Sequence, residues 1–196
     1  MCTKSSSMLQ RGISLIELIM FIVIISVALT GILLVMNIVT RNSADPLVHK
    51  QALAIAESLL EEVELMPFTY CEPDDASAVT AQSAVVGGTG CATTVEAMGP
   101  EAGETRGSTT NPFDNVNDYA GFNMAAGAVT DIAGGAAVGG YAARVAVAPV
   151  ALNGIAGTDA NGAPQVLQIT VTVTGPDNLP IVLDGYRTRY APRSVP

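Results

Sequence analysis

From Leu18 to Thr40 the chain carries no charged side chain, and the apolar pattern already begins at Ile13. About 20 apolar residues cross a bilayer as an α-helix, so 13–40 is expected to be a transmembrane helix. One acid, Glu17, interrupts its start. An ionised carboxylate at the bilayer centre costs about 2.5–3.5 kcal/mol even on the lenient insertion scale, so an acid kept there points to a role. Lys4 and Arg11 precede the run and no acid does. The positive-inside rule then keeps the N-terminus cytoplasmic and everything after Arg41 beyond the membrane. An ordinary signal anchor is the plain reading. A cleaved secretory signal fits less well, because its apolar region usually has roughly 7–15 residues and no A-x-A site follows here.

The next segment, NSADPLVHKQALAIAESLLEEVELMPF, changes period. Val48, Ala52, Ile55, Leu59, Val63 and Met66 recur at helical spacing, with Glu57, Glu61 and Glu64 largely off that stripe. An amphipathic helix over 41–67 follows, with one face for a sheet and Pro67 at its end. Asp45 and Pro46 read as an N-cap and a first helical position, so the helix is expected to restart or kink there.

Residues 68–140 are rich in Gly, Ala, Ser and Thr, with GGTG at 87–90 and GGAAVGG at 134–140. They read as loops with few long regular elements. Within them NPFDNVNDYAGF, at 111–122, reads as a turn packed by Phe113, Tyr119 and Phe122. Asp114, Asn117 and Asp118 raise calcium as the other reading, but an EF-hand loop wants acids or amides at alternate positions, and Val116 breaks that pattern.

Past 140 the period becomes two. YAARVAVAPV, VLQITVTVT and LPIVLDGYRTRYAP are strand candidates, and Leu167, Ile169, Val171 and Val173 alternate with Gln168, Thr170, Thr172 and Thr174. GPDNLP marks a turn, as does DANG at 159–162. Successive strands favour an antiparallel meander over 141–196. A helix followed by a sheet gives the fold class α+β.

Charge and chemistry narrow the functions. The 196-residue chain has a net charge of −9, and its nine basic residues are scattered. Nucleic-acid binding is therefore not expected, since it needs clustered Lys and Arg to release counterions. His49, the only histidine, lies on the second helical segment and reads as solvated. No Ser/His/Asp set, phosphate loop or zinc spacing accompanies it, so no enzyme activity, cofactor or metal is assigned. Cys2 lies before the apolar run, leaving Cys71 and Cys91 beyond it. In an oxidising compartment such a pair usually forms a disulfide, worth roughly 3 kcal/mol by loop entropy. Two free thiols are the other reading.

The boundary ahead of the apolar run accounts for Glu17. MCTKSSSMLQRG is followed by ISLIELIMFIVIISV. The combination of basic leader, glycine, small hydroxyl residue, glutamate and full apolar span resembles the class III signal of type IV prepilins and pseudopilins. The resemblance implies that a membrane peptidase cleaves the 1–12 leader between Gly12 and Ile13 and N-methylates Ile13. Glu17 then becomes the fifth mature residue, and its carboxylate pairs with the new N-terminal amine of a neighbouring subunit during assembly. Such a pair offsets the burial cost of both charges. Snorkelling of Glu17 to the headgroups is the alternative. Two departures stand out: the first mature residue is Ile rather than the commoner Phe, and Leu34 occupies the position where major pilins often have proline. Gly31 is then a weak point in the helix.

The implied fold is pilin-like, a long N-terminal helix packed on a C-terminal antiparallel sheet. SADPLVHKQALAIAESLLEEV, FDNVNDYAGF and GYRTRYAP are further similar to the D-type minor pilins of mannose-sensitive haemagglutinin (MSHA) pilus systems. The implied partners are prepilin peptidase, other pilin subunits, the inner-membrane assembly platform and lipid. The implied location is single-pass in the inner membrane with a periplasmic C-terminal domain, or extracellular in a pilus. A minor pseudopilin of type II secretion and a membrane-anchored periplasmic binding or adhesive domain are the competing functions.

Overall fold

The computed structural model describes residues 14–189, apart from the side chains of 40–45. The first element, α1, is a helix over Leu15–Leu65, and the chain divides within it into two compact units between Pro46 and Leu47.

In the first unit Leu15–Val39 is one helix long and apolar enough to span a membrane, with a mean hydropathy of 3.0 and none of it buried inside the protein. Its two hydroxyls are satisfied internally: Ser26 Oγ donates to the Ile22 carbonyl and Thr30 Oγ1 to that of Ser26, each at 2.7 Å. This suits a medium that offers no partners to polar groups. The helical assignment runs through Asp45 and Pro46 rather than restarting there. Pro46 cannot donate to the carbonyl four residues back, so the ladder loses one bond without the segment leaving helical geometry.

In the second unit the helical stripe meets a sheet. Ala52, Ala56, Leu59 and Val63 are buried, with Val48, Ile55, Leu60 and Met66 packed at the margin. Three of the four strands match the sequence reading: β2 (Ala142–Pro149), β3 (Val166–Thr174) and β4 (Pro180–Thr188). A short β1, Asn123–Met124, comes from the loop region and extends the sheet to the antiparallel order β1-β2-β3-β4. The inward set is the alternating one: Ala143, Val145 and Val147 on β2, and Leu167, Ile169, Val171 and Val173 on β3. On β4, Gly185 occupies the inward position beneath the helix, where a Cβ would meet Leu60 Cδ1 at 2.9 Å and clash with the Glu64 carboxylate. The β3–β4 turn is as expected, with Asn178 in the left-handed region at φ 59° and its N–H donating to Gly175. The β2–β3 link is longer, 150–165, and carries its own bridges between Leu152 and Ile155 and between Thr158 and Pro164. The whole is an α+β arrangement of helix on antiparallel meander.

The end of α1 has no basic residue in its last turn. The carbonyls just past it are met from β4 and just beyond. Arg187 Nη2 donates to the Met66 carbonyl at 2.7 Å, and Arg189 Nη1 to the carbonyls of Phe68 and Thr69. Arg189 also lies over the rings of Phe68 and Tyr70, 4.0 and 4.4 Å from their centroids. Cations at a helix C-terminus complement its partial negative charge, so the closing strand pins the helix end.

Candidate functional site

Three groups of chemically notable residues fall in different places. Glu17 lies in the first turn of α1, exposed, with Leu18 N–H donating to the Ser14 carbonyl at 3.1 Å. An acid in a first turn is favoured by the helix dipole. The cleavage pair Gly12 and Ile13, and Cys2, lie outside the described residues.

The second group is the disulfide knot. Cys71 and Cys91 are bonded, with Cα atoms 5.5 Å apart, and both are fully buried beside Ala78, Ala81, Tyr70 and Val95. Asp75 organises the loop they close. Its carboxylate accepts the backbone N–H groups of Ser77, Ala92, Thr93 and Thr94 and the Thr93 hydroxyl, at 2.7–2.9 Å. Those bonds, that from Thr94 foremost, hold its carboxyl well below the ordinary value of 3.8 despite burial.

The third group lies in the glycine-rich stretch. Phe113, Tyr119 and Phe122 pack edge to face, with centroids 5.1–5.9 Å apart, around a 3-10 turn over Val116–Tyr119. Val116 N–H donates to the Pro67 carbonyl, and Asn115 Nδ2 to Thr69 Oγ1 at 2.7 Å, so the turn is stitched to the end of α1. Glu62 of α1 takes a forked pair of bonds from Arg106, both at 2.6 Å, and a third from the Tyr119 hydroxyl at 2.7 Å. Burial lowers the Arg106 pKa, but the hydrogen bond and charge of Glu62 outweigh it and the net shift is upward. Burial, then Glu62, raises that of the Tyr119 hydroxyl.

Beside this turn six acids converge. Carboxylate oxygens of Glu72, Glu104 and Asp114 lie within 4.8 Å of one another, as do those of Glu72, Glu96 and Glu101, and those of Glu101, Glu104 and Asp118. The shared members join the three sets into one cluster. Glu72 is buried and next to Cys71; Glu96 is buried, follows Val95, which bridges to Cys71, and donates its N–H to the Tyr70 carbonyl. The knot therefore sets two of the acids side by side. Asp118 Oδ2 accepts the N–H groups of Asp114 and Asn115 at 2.9 and 2.8 Å. Burial, then the neighbouring carboxylates, pushes the Glu72 pKa up to about 9 and that of Glu96 up to about 10. Burial raises Asp118 to about 7 against the pull of its two backbone donors, and Asp114 to about 6.

Compared with family models, with curated proteins and with solved structures, the chain shows no significant match.

The site residues named from sequence are thus dispersed. Glu17 belongs to the first unit and the Cys71–Cys91 bridge to the second. The turn at 111–122 packs as expected, and Asp114 and Asp118 both belong to the acidic cluster, with Asn117 buried between them in sequence. Glu72, Glu96, Glu101 and Glu104 were not legible as partners. The available signal was compositional: eight acids stand between 72 and 118, against Arg106 as the one basic residue. DANG is a turn, with Asp159 Oδ1 accepting the N–H groups of Asn161 and Ala163. His49 is partly exposed, 3.7 Å from Asp177.

Proposed function

We propose that the chain is a minor pilin-like structural subunit of a type IV filament of the MSHA type. It is cleaved between Gly12 and Ile13, methylated on Ile13 and docked to its neighbours through Glu17. The observation that carries this reading is Glu17 itself, the one acid in the first turn of α1 and the one charge in its apolar Leu15–Val39 span, five residues past a glycine that ends a basic leader. The amphipathic second half of α1 seated on an antiparallel meander agrees with the pilin order of elements. The exposed apolar surface of Leu15–Val39 needs lipid or the helices of other subunits around it. In this role the protein joins, primes or caps a filament and catalyses nothing.

Mass spectrometry of the mature N-terminus tests the reading. N-methyl-isoleucine from Ile13 is expected in protein from a peptidase-positive cell; an intact leader refutes it. Glu17→Gln tests the docking step. Insertion and cleavage should persist, because an amide suits the bilayer better than an acid, while co-purification with partner pilins should fall. Undiminished co-purification removes the assembly role of Glu17.

A further inference from the structure

We propose that Glu72, Glu96, Glu101, Glu104, Asp114 and Asp118 form a calcium-binding site that ties the disulfide loop to the aromatic turn. The site stands independently of the pilin reading. Its carboxylates come from three stretches, 72, 96–104 and 114–118, and their oxygens gather within 4.8 Å in three overlapping sets.

The second observation concerns what these groups lack. Glu96 is more than nine-tenths buried, and neither of its carboxylate oxygens has a hydrogen-bond partner among the described residues. Asp118 is 1% exposed, and its Oδ1 is likewise without a partner. Among the described residues none of the six is ion-paired, and the one basic side chain in this stretch, Arg106, is committed to Glu62. A buried carboxylate left without donor or counter-charge is strongly disfavoured, and several together more so. A bound cation removes the difficulty for all of them at once.

The donor set selects the cation. It contains only oxygen, with no His or Cys, so hard divalent ions are preferred over zinc or copper. Ligands on opposite sides of a calcium ion stand about 4.6–5.2 Å apart, twice the usual calcium–oxygen distance, whereas around magnesium they stand about 4.2 Å apart. Separations within 4.8 Å admit either ion, so coordination number decides. Calcium accepts six to eight oxygens in flexible geometry, whereas magnesium usually keeps several waters, which suits a buried cage of carboxylates less well.

The test uses the full-length protein in nonionic detergent, stripped with EGTA and then given 10 mM CaCl2, 10 mM MgCl2 or neither. Calcium should raise the thermal midpoint, shifting the unfolding equilibrium about 100-fold where the ion is at 100 times its Kd. Magnesium should do markedly less. Glu72→Gln with Glu96→Gln should match or exceed the wild-type midpoint in EGTA, since two crowded buried acids are gone, yet gain nothing from calcium. Glu57→Gln with Glu61→Gln, on the exposed face of α1, should keep the calcium response. Equilibrium dialysis of the wild type against 45Ca should find at least one ion per chain, a measurement that does not depend on any variant folding. An unchanged wild-type midpoint with no bound 45Ca overturns the site. So does an equal calcium response in the Glu72/Glu96 variant, which would mean the acids only share protons. Equal stabilisation by magnesium overturns the assignment to calcium.

Discussion

Arg106→Met isolates the contact that fastens the glycine-rich stretch to the helix. Arg106 donates twice to Glu62, donates to the Thr130 carbonyl at 3.0 Å, and lies 5.6 Å from the centre of the Phe122 ring. The side chains of Arg106 and Glu62 are only 9% and 12% exposed, so little water reaches either charge. Removing one partner of a buried pair costs about 3–5 kcal/mol, mainly because the other charge is stranded. Here Glu62 retains the Tyr119 hydroxyl as a donor, and some exposure remains, so the lower end, about 3 kcal/mol, is expected. For a chain of this size that lowers the thermal midpoint by roughly 6–12 °C.

The assay is thermal unfolding of the purified full-length protein, followed by far-ultraviolet circular dichroism. Three variants give the decisive comparison: Arg106→Met, Glu62→Met and the double change. If the loss comes from a stranded charge, the double variant should recover much of it, since an apolar pair replaces an ionic one at similar volume. Arg106→Lys should fall between, because an ammonium cannot reproduce the fork. A single-variant loss below about 1 kcal/mol would place this pair with surface ion pairs and refute the reasoning. A double variant worse than both singles would show that packing, not charge, is what Arg106 supplies.

Three more expectations follow from separate contacts. Cys71→Ala with Cys91→Ala should cost about 3 kcal/mol, the loop entropy of a 20-residue separation, measured as a drop in denaturation midpoint and absent when both proteins are compared under reductant. Asp75→Asn should destabilise at neutral pH, with an acid dependence of definite sign. The folded pKa of Asp75 lies below 3.8, so its contribution is present above that value and fades as pH falls below it; the gap between wild type and variant in pH-dependent unfolding should narrow below about pH 4. Gly185→Val should cost about 1–3 kcal/mol by overpacking against Leu60 and Glu64, readable as a lower unfolding midpoint.

The regular elements were legible because each announces itself locally. The alternation over 166–174 needs one buried face, and β3 is bounded by Val166 and Thr174 with Leu167, Ile169, Val171 and Val173 inside. The stripe from Val48 to Met66 needs a surface of its own width, and the sheet provides it. What failed was short or nonlocal. Two residues, Asn123 and Met124, are too few to display a period, so β1 passed for loop. At Pro46 the expectation was a restart or a kink; a rule about helix starts competed with helix-forming residues on either side, and the restart did not occur. Cysteine parity pointed to the bridge, but nothing in the spacing of cysteines shows that Asp75 would organise the loop between them.

The acidic cluster shows most clearly why a motif scan stops short. An EF-hand is readable because one twelve-residue loop supplies nearly all the ligands at fixed offsets. Here the acids at 114 and 118 have no such pattern around them, and their partners lie up to 46 residues upstream. What brings them together is a set of links that each look structural. The disulfide and the Cys71–Val95 bridge align Glu72 with Glu96, while the Val116 and Asn115 bonds dock the aromatic turn at the end of α1. Arg106, two residues past Glu104, is clasped by Glu62 on the same helix. Loops this rich in glycine lose much conformational entropy on ordering, and many of their apolar side chains are only alanine. A covalent bridge, a buried ion pair and a shared cation each fix such loops without requiring a larger core, as is usual where hydrophobic burial alone is thin. Because the cation would sit between the disulfide loop and the aromatic turn, its removal should loosen both together: hydrogen exchange in EGTA should rise at 70–75, 91–96 and 113–119 while β3 stays protected.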